Sequence, residues 1–231
     1  MAALALLCLL LAGCGDNAGR FERSAGAAAS EALLKQEDMP AGWSREDDSL
    51  AGLNVSLSEQ CSILTAQRAF EGAAATAESG AFAGSDEREA RSFAAIYASI
   101  DVAGAALSHI ESTVNRCHDE FLDAVKRAAE DRLSASGVSL GPLSSIDASI
   151  DEVGGVKAGD ESKRYRIAVS VRVIWFGRDF TGDFVVARKG RAAGALFYST
   201  YGTPDEEDEP ALTQKLAEKL AAADNSLPAA E

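Results

Sequence analysis

Gly137-Val138-Ser139-Leu140-Gly141 has the Gly-x-Ser-x-Gly spacing of a nucleophile elbow, in which a strained strand-to-helix turn presents a serine to a histidine base. The surrounding sequence supplies neither part. A helical pattern comes before it, Pro142 comes after it, and no histidine follows His118. No Ser-x-x-Lys spacing offers a lysine base instead. The segment reads as a helix stop, with Gly137 as C-cap and Pro142 barring continuation. His109 and His118 are the only histidines. On one continuous helix their spacing is about 900° of rotation, which sends them to opposite faces. They could share a metal only if the helix broke near Cys117. Asp205 to Glu209 is the densest acidic run. Hard cations such as calcium take several carboxylates, but the spacing matches no EF-hand. A solvated loop that places acids at a helix N-terminus accounts for it better. No catalytic residue, cofactor or metal site is expected.

One group of side chains suits binding rather than catalysis. Arg164, Arg166 and Arg172 share parity, so they project from one side of a strand. The simpler reading is a solvent-facing surface balanced by cross-strand acids. The sharper one is a cationic wall for an anionic ligand, a small molecule or a cell-wall glycan. Trp43 and Tyr97 are the aromatics that would complete such a cleft. Trp43 also reads as a lid on the core edge.

The cysteines carry the other chemistry. There are four, Cys8, Cys14, Cys61 and Cys117. Residues 1–13 form an uncharged apolar run that ends Leu11-Ala12-Gly13 before Cys14. The run is too short to span a bilayer, which takes about 20 apolar residues, and it suits the h-region of a secretory signal. Small residues followed by a cysteine resemble the bacterial lipobox. Residues 1–13 are then a lipoprotein signal peptide, Cys14 carries the lipid, and the chain is held at the extracytoplasmic face of the cell membrane. The n-region has no Lys or Arg, which leaves open a start upstream of Met1. Cys61 and Cys117 remain, and in an exported compartment the simplest reading is a disulfide. Two buried thiols or a redox pair are the alternatives, and the lack of a Cys-x-x-Cys spacing counts against the second. The formal charge of −14 opposes nucleic-acid binding.

The elements that must position these groups follow from periodicity. Residues 14–28 are small and polar and read as a flexible tether. Ser30 is placed to cap a short helix through Leu34. Ala73 to Phe82 looks extended, and Arg91 to Ser99 alternates as a strand covered on both faces. A helix capped by Asp101 carries Ala103, Ala106, Leu107, Ile110, Val114 and Cys117 on one stripe. A second helix from Phe121 to Leu133 stops at Gly137. Residues 146–150, 165–173, 180–188 and 193–201 alternate with period two, and short turns make them an antiparallel meander. Leu212, Leu216 and Leu220 line a last helix, with a frayed tail at 226–231. Helices and strands are segregated. That predicts an α+β fold with a single antiparallel β-sheet of about five to six strands packed against α-helices, one domain over 29–225.

Several stretches occur in a familiar order. Ala32-Leu33-Leu34 precedes Asp38-Met39-Pro40-x-Gly42-Trp43. Ala95-Ile96-Tyr97-Ala98-Ser99 leads into an Ala-rich helix ending at Cys117. Gly159-Asp160-Glu161-Ser162 opens an Arg-rich strand, followed by Val185-Val186-Ala187-Arg188-Lys189-Gly190 and a terminal helix. This order resembles the PknH-like extracellular domain of actinobacteria, found as the outer sensor of a membrane kinase and in stand-alone lipoproteins. The resemblance implies an antiparallel sheet backed by helices around a ligand-binding cleft, without catalysis. The kinase member has two disulfides where this chain retains one pair. No kinase or transmembrane segment follows, and no ligand residue transfers. The function expected is a non-enzymatic ligand-binding or sensor-like lipoprotein. A structural or partner-docking envelope lipoprotein is the alternative, and a cell-envelope hydrolase stands behind both.

Overall fold

The structure is a computed structural model that describes residues 13–46, 57–58, 60–61, 69–85, 87–135, 137, 145–154, 157–173, 176–202 and 207–229. Its frame is a seven-stranded antiparallel sheet. The strands are β1 (Ser44–Glu46), β2 (Ala75–Ala83), β3 (Glu89–Ile96), β4 (Ser145–Glu152), β5 (Glu161–Val173), β6 (Phe176–Lys189) and β7 (Ala192–Tyr201). Their spatial order is β1-β2-β3-β7-β6-β5-β4. Among the described residues four helices cover it: α1 (Gly13–Glu31), α2 (Ile100–Arg116), α3 (His118–Ala135) and α4 (Asp208–Ser226).

The α+β class and the single antiparallel sheet match the periodicity, but there are seven strands rather than five to six. The strand without a sequence signal is β1. Ser44, Arg45 and Glu46 are all exposed and do not alternate. They are extended because they pair with Ala83, Phe82 and Ala81 of β2. A second correction concerns β6, which the alternation starts at residue 180: Phe176 to Asp179 already lie in the strand and pair with β5.

Each face of the sheet closes its own core. On one side α1 and α4 cover Ala90, Ala94 and Ile96 of β3, Val185 and Ala187 of β6, and Leu196 and Tyr198 of β7. On the other, α2 and α3 cover Phe93, Ala95 and Tyr97, with Tyr165, Ile167 and Val169 of β5. The alternation within β3, β5, β6 and β7 sorts the two sets. On the first face Leu212, Leu216 and Leu220 of α4 are buried as their spacing requires. Leu220 seats over Gly194, where a Cβ would lie 3.2 Å from its methyl.

The tether expected over 14–28 is a helix. Ala25, Ala28 and Ala29 are buried in α1, so the packed domain begins well before residue 29. Alanine and glycine made this stretch look like linker. Alanine is also the strongest helix former, and its small side chain lets a helix lie close to a sheet. Ser30 is inside α1, where its hydroxyl donates to the Gly26 carbonyl, and it caps nothing. At the start of α2 the cap is Ser99, whose hydroxyl accepts from the Val102 amide, so Asp101 is a first-turn acid instead. Gly137, with φ of 77°, sits just past α3 in the left-handed conformation that ends helices. At the C-terminus α4 runs to Ser226 and Leu227 is buried, so order extends past the expected start of the tail.

Candidate functional site

The first turn of α4 gathers charge above the sheet. Across the strands beneath it, Arg166 of β5 pairs with Asp183 of β6, which pairs with Tyr198 of β7, and Tyr198 pairs with Ala90 of β3. Trp43 stands beside this row, 6.1 Å from the Tyr198 ring. Arg88, from the β2–β3 turn, lies 5.8 Å from the centre of the Trp43 ring.

Each arginine here meets a carboxylate. Arg164 Nη1 donates to Glu209 Oε2 at 2.9 Å, and the Thr213 hydroxyl donates to the other Glu209 oxygen at 3.0 Å. Arg166 grips Asp183 with two bonds, Nε to Oδ1 at 2.8 Å and Nη2 to Oδ2 at 2.7 Å. Arg88 Nη1 reaches Asp208 at 2.6 Å. Asp208 and Glu209 also occupy the end of α4 that favours negative charge. Among the described residues this mesh matches three arginines with three carboxylates in number, and its strength comes from charge-assisted, partly bidentate bonds partly screened from water.

The predicted residues are therefore divided rather than assembled. Arg164 and Arg166 share the mesh with Trp43. Arg172 lies about 20 Å further along β5 at the usual rise of a strand. It is half exposed, donating to Asp179 Oδ1 at 2.6 Å and to the Arg178 carbonyl at 3.2 Å. The Ser170 hydroxyl and Arg172 together hold the Asp179 carboxyl below the usual carboxylate range. Tyr97 is on the opposite face of the sheet, fully buried, so it lines no cleft with Trp43. Burial alone pushes its phenol well above the ordinary value. Tyr165, on the same face, is pushed up to about 12, mainly by burial and then by Glu152 and Glu111. Neither is an acid or base near neutral pH. Trp43 is a core residue: it is buried, and a Cβ on Gly84 would lie 2.6 Å from its ring.

Sequence reasoning did not single out Asp183. Its signal was an acid inside an apolar alternating strand, Phe180 to Arg188, in register with an arginine strand. The helix-terminal place of Glu209 shows in the sequence, and the structure adds its arginine.

The remaining candidates fall as follows. Cys61 and Cys117 are bonded, with Cα atoms 5.7 Å apart. The bond ties the segment before β2 to the junction of α2 and α3. The chain does break there, and Cys117 caps α2. His109 is exposed on α2, and His118 Nδ1 lies 2.9 Å from Asp119 Oδ1. Among the described residues no group of three or more His, Cys, Asp or Glu side chains is placed to hold a metal. Of the acidic run, Asp205 and Glu206 lie outside the described residues, and Asp208 and Glu209 bond arginines. Ser139 also lies outside the described residues. Cys14 lies in the first turn of α1. Among the described residues no helix is long and apolar enough to cross a membrane.

No family model matches the sequence, and no curated protein matches it. Among solved structures, the crystal structure of the extracellular domain of PknH from Mycobacterium tuberculosis aligns with a TM-score of 0.46 and 10% identity, over 85% of this chain and 96% of that one.

Proposed function

We propose that the chain is a lipid-anchored extracytoplasmic lipoprotein whose domain is a non-enzymatic, sensor-like binding module. The observation that supports it most is covalent. Cys61 and Cys117 are bonded to each other, a pairing suited to an oxidising, exported compartment. That leaves Cys14, next to the short apolar run, as the residue for lipid. The binding element is the mesh at the start of α4. An anionic small molecule or cell-wall glycan would compete with Glu209 and Asp183 for Arg164 and Arg166. Arg164 Nε is buried and lacks an acceptor, which leaves one donor to offer. Native mass spectrometry of the protein from an envelope extract tests the reading. The expected result is acyl mass at Cys14, the intact Cys61–Cys117 bond and a bound ligand lost in Arg164→Ala. Absence of acyl mass, with the coding sequence upstream of Met1 restored, overturns the anchor. An acylated but ligand-free chain favours the second reading, an envelope docking lipoprotein. The pairing of Arg164, Arg166 and Arg88 with carboxylates of the chain supports that alternative, which predicts a protein that co-purifies.

A further inference from the structure

One end of the sheet carries an apolar pair that the fold does not use. Ile100 is 56% exposed and Val102 is 43% exposed, the large apolar side chains most open to solvent among the described residues. Both are in the first turn of α2. The Tyr97 amide, three residues before Ile100, donates to the Arg191 carbonyl at 2.9 Å. This places the pair beside the β6–β7 turn.

The same end receives the start of α1. The Arg191 guanidinium lies 5.9 Å from the centre of the Phe21 ring, while at the other end of α1 the Leu34 amide donates to the Ser92 hydroxyl of β3. The helix therefore runs along the strands, and its first turns project past the β6–β7 turn. From Cys14 to Phe21 the rise is about 10 Å. We propose that this end of the domain is a membrane-facing floor, with Ile100 and Val102 set into the lipid interface beneath the sheet. The proposal rests on the anchor at Cys14 argued above.

Three further features fit a lipid surface. The floor is stiff. Gly190, with φ of 56°, makes the tight β6–β7 turn. Its amide donates to Asp160 at 2.9 Å, and the next amide, of Arg191, donates to Asp224 at 2.8 Å. A Cβ at Gly190 would collide with the Asp224 carboxylate, so the turn has no room for a larger residue. Among the described side chains near this end, exposed Glu22, Glu71 and Asp101 are matched in number by exposed Arg20, Arg23 and Lys157, and Asp160 and Glu161 pair with Lys189 and Arg188. The start of α4, with Asp208 against Arg88 of the β2–β3 turn, is at the opposite end, away from anionic headgroups. A covalent anchor also makes insertion intramolecular, so two apolar side chains suffice where they would not recruit a free protein.

The test is amide exchange on the full chain. The acylated protein is reconstituted in phosphatidylcholine vesicles with a minority of phosphatidylglycerol and compared with Cys14→Ser mixed with the same vesicles. Residues 97–104 and 187–192 are expected to exchange about tenfold more slowly in the acylated chain, and residues 84–89 at equal rates. The double variant Ile100→Glu, Val102→Glu should lose that protection while still floating with the vesicles and keeping its melting temperature. Acylated protein with equal exchange at both ends overturns the membrane floor alone, and so does a double variant that stays protected. A chain with no acyl mass at Cys14 removes the anchor as well, and mass spectrometry of the same samples separates the two failures.

Discussion

The two faces of the sheet are closed by different means. The face under α2 and α3 is aromatic, with Phe70, Phe93, Tyr97, Phe121 and Tyr165 buried and Phe180, Phe184 and Phe197 packed against them. The face under α1 and α4 is rich in alanine, including Ala25, Ala28, Ala29, Ala90, Ala94, Ala187 and Ala192, beside leucines, Trp43 and Tyr198. Aromatic side chains bury much area each. Alanines bury little and permit close approach. The alanine face is then fixed by ion pairs at its margins: Arg164–Glu209, Arg88–Asp208, Lys219–Asp38 and Arg191–Asp224. The aromatic face has the disulfide beside it. On the aromatic face one covalent tie holds the connecting chain; on the alanine-rich face, where helices lie close, paired charges hold helices from the two ends of the sequence.

This contrast can be broken from either side. Removing the disulfide with Cys61→Ala and Cys117→Ala should cost about 4 kcal/mol, since a long loop is released in the unfolded chain. Urea unfolding of oxidised wild type and the double variant measures it, and a loss under about 1 kcal/mol would show that the aromatic face does not need its tie. On the alanine face, Glu209→Ala leaves Arg164 partly buried without its carboxylate and should cost about 3 kcal/mol. Adding Arg164→Met should recover most of that loss. Losses that simply add would mean that the two side chains are not coupled.

Packing at the margin of the same face gives a smaller effect. Gly84→Ala drives a methyl into the Trp43 ring and should cost about 1–2 kcal/mol, with a shift in tryptophan emission. No change in either would show that the β2–β3 turn can withdraw. The smallest effect is a pH dependence. The Gly190 amide, and then Lys189, hold the Asp160 carboxyl below the ordinary carboxylate value. A lowered folded value gives stability that is complete above the ordinary value near 4 and lost as pH falls through the folded one. Asp160 is largely exposed, so the loss should be slight. Asp160→Asn should flatten the urea midpoint between pH 5 and about 3, and an unchanged slope would assign acid sensitivity to other carboxylates.

The parts legible in the sequence are those whose signal is local. The meander β5–β6–β7 shows in period-two alternation, α4 in its leucine spacing and α3 in its run to Gly137. The cysteine pair followed from what the other two cysteines were assigned. Two elements were hidden for opposite reasons. α1 is rich in alanine and glycine, and its amphipathicity lies in which alanines are covered, which composition cannot show. β1 is strand only through its partner β2. The site was half legible: parity put Arg164 and Arg166 on one face, and cross-strand acids were the simpler of the two readings. Glu209 reaches Arg164 from 45 positions away in sequence, and no spacing rule connects them. A strand pattern shows that its faces alternate, not which helices cover each face, so it does not separate Tyr97 from Trp43.

The two edges of the sheet bear on crowding. Molecules at high local concentration meet often, and an open strand edge is an invitation to pair. β1 offers three residues, all exposed, with Arg45 and Glu46 among them. β4 is longer and carries Asp147, Asp151 and Glu152 exposed along it. Two β4 edges meeting antiparallel about Ser149 would set Asp147 of each copy opposite Asp151 of the other, a repulsive register. The sheet thus ends on one side by brevity and on the other by charge, and both oppose edge-to-edge pairing between copies.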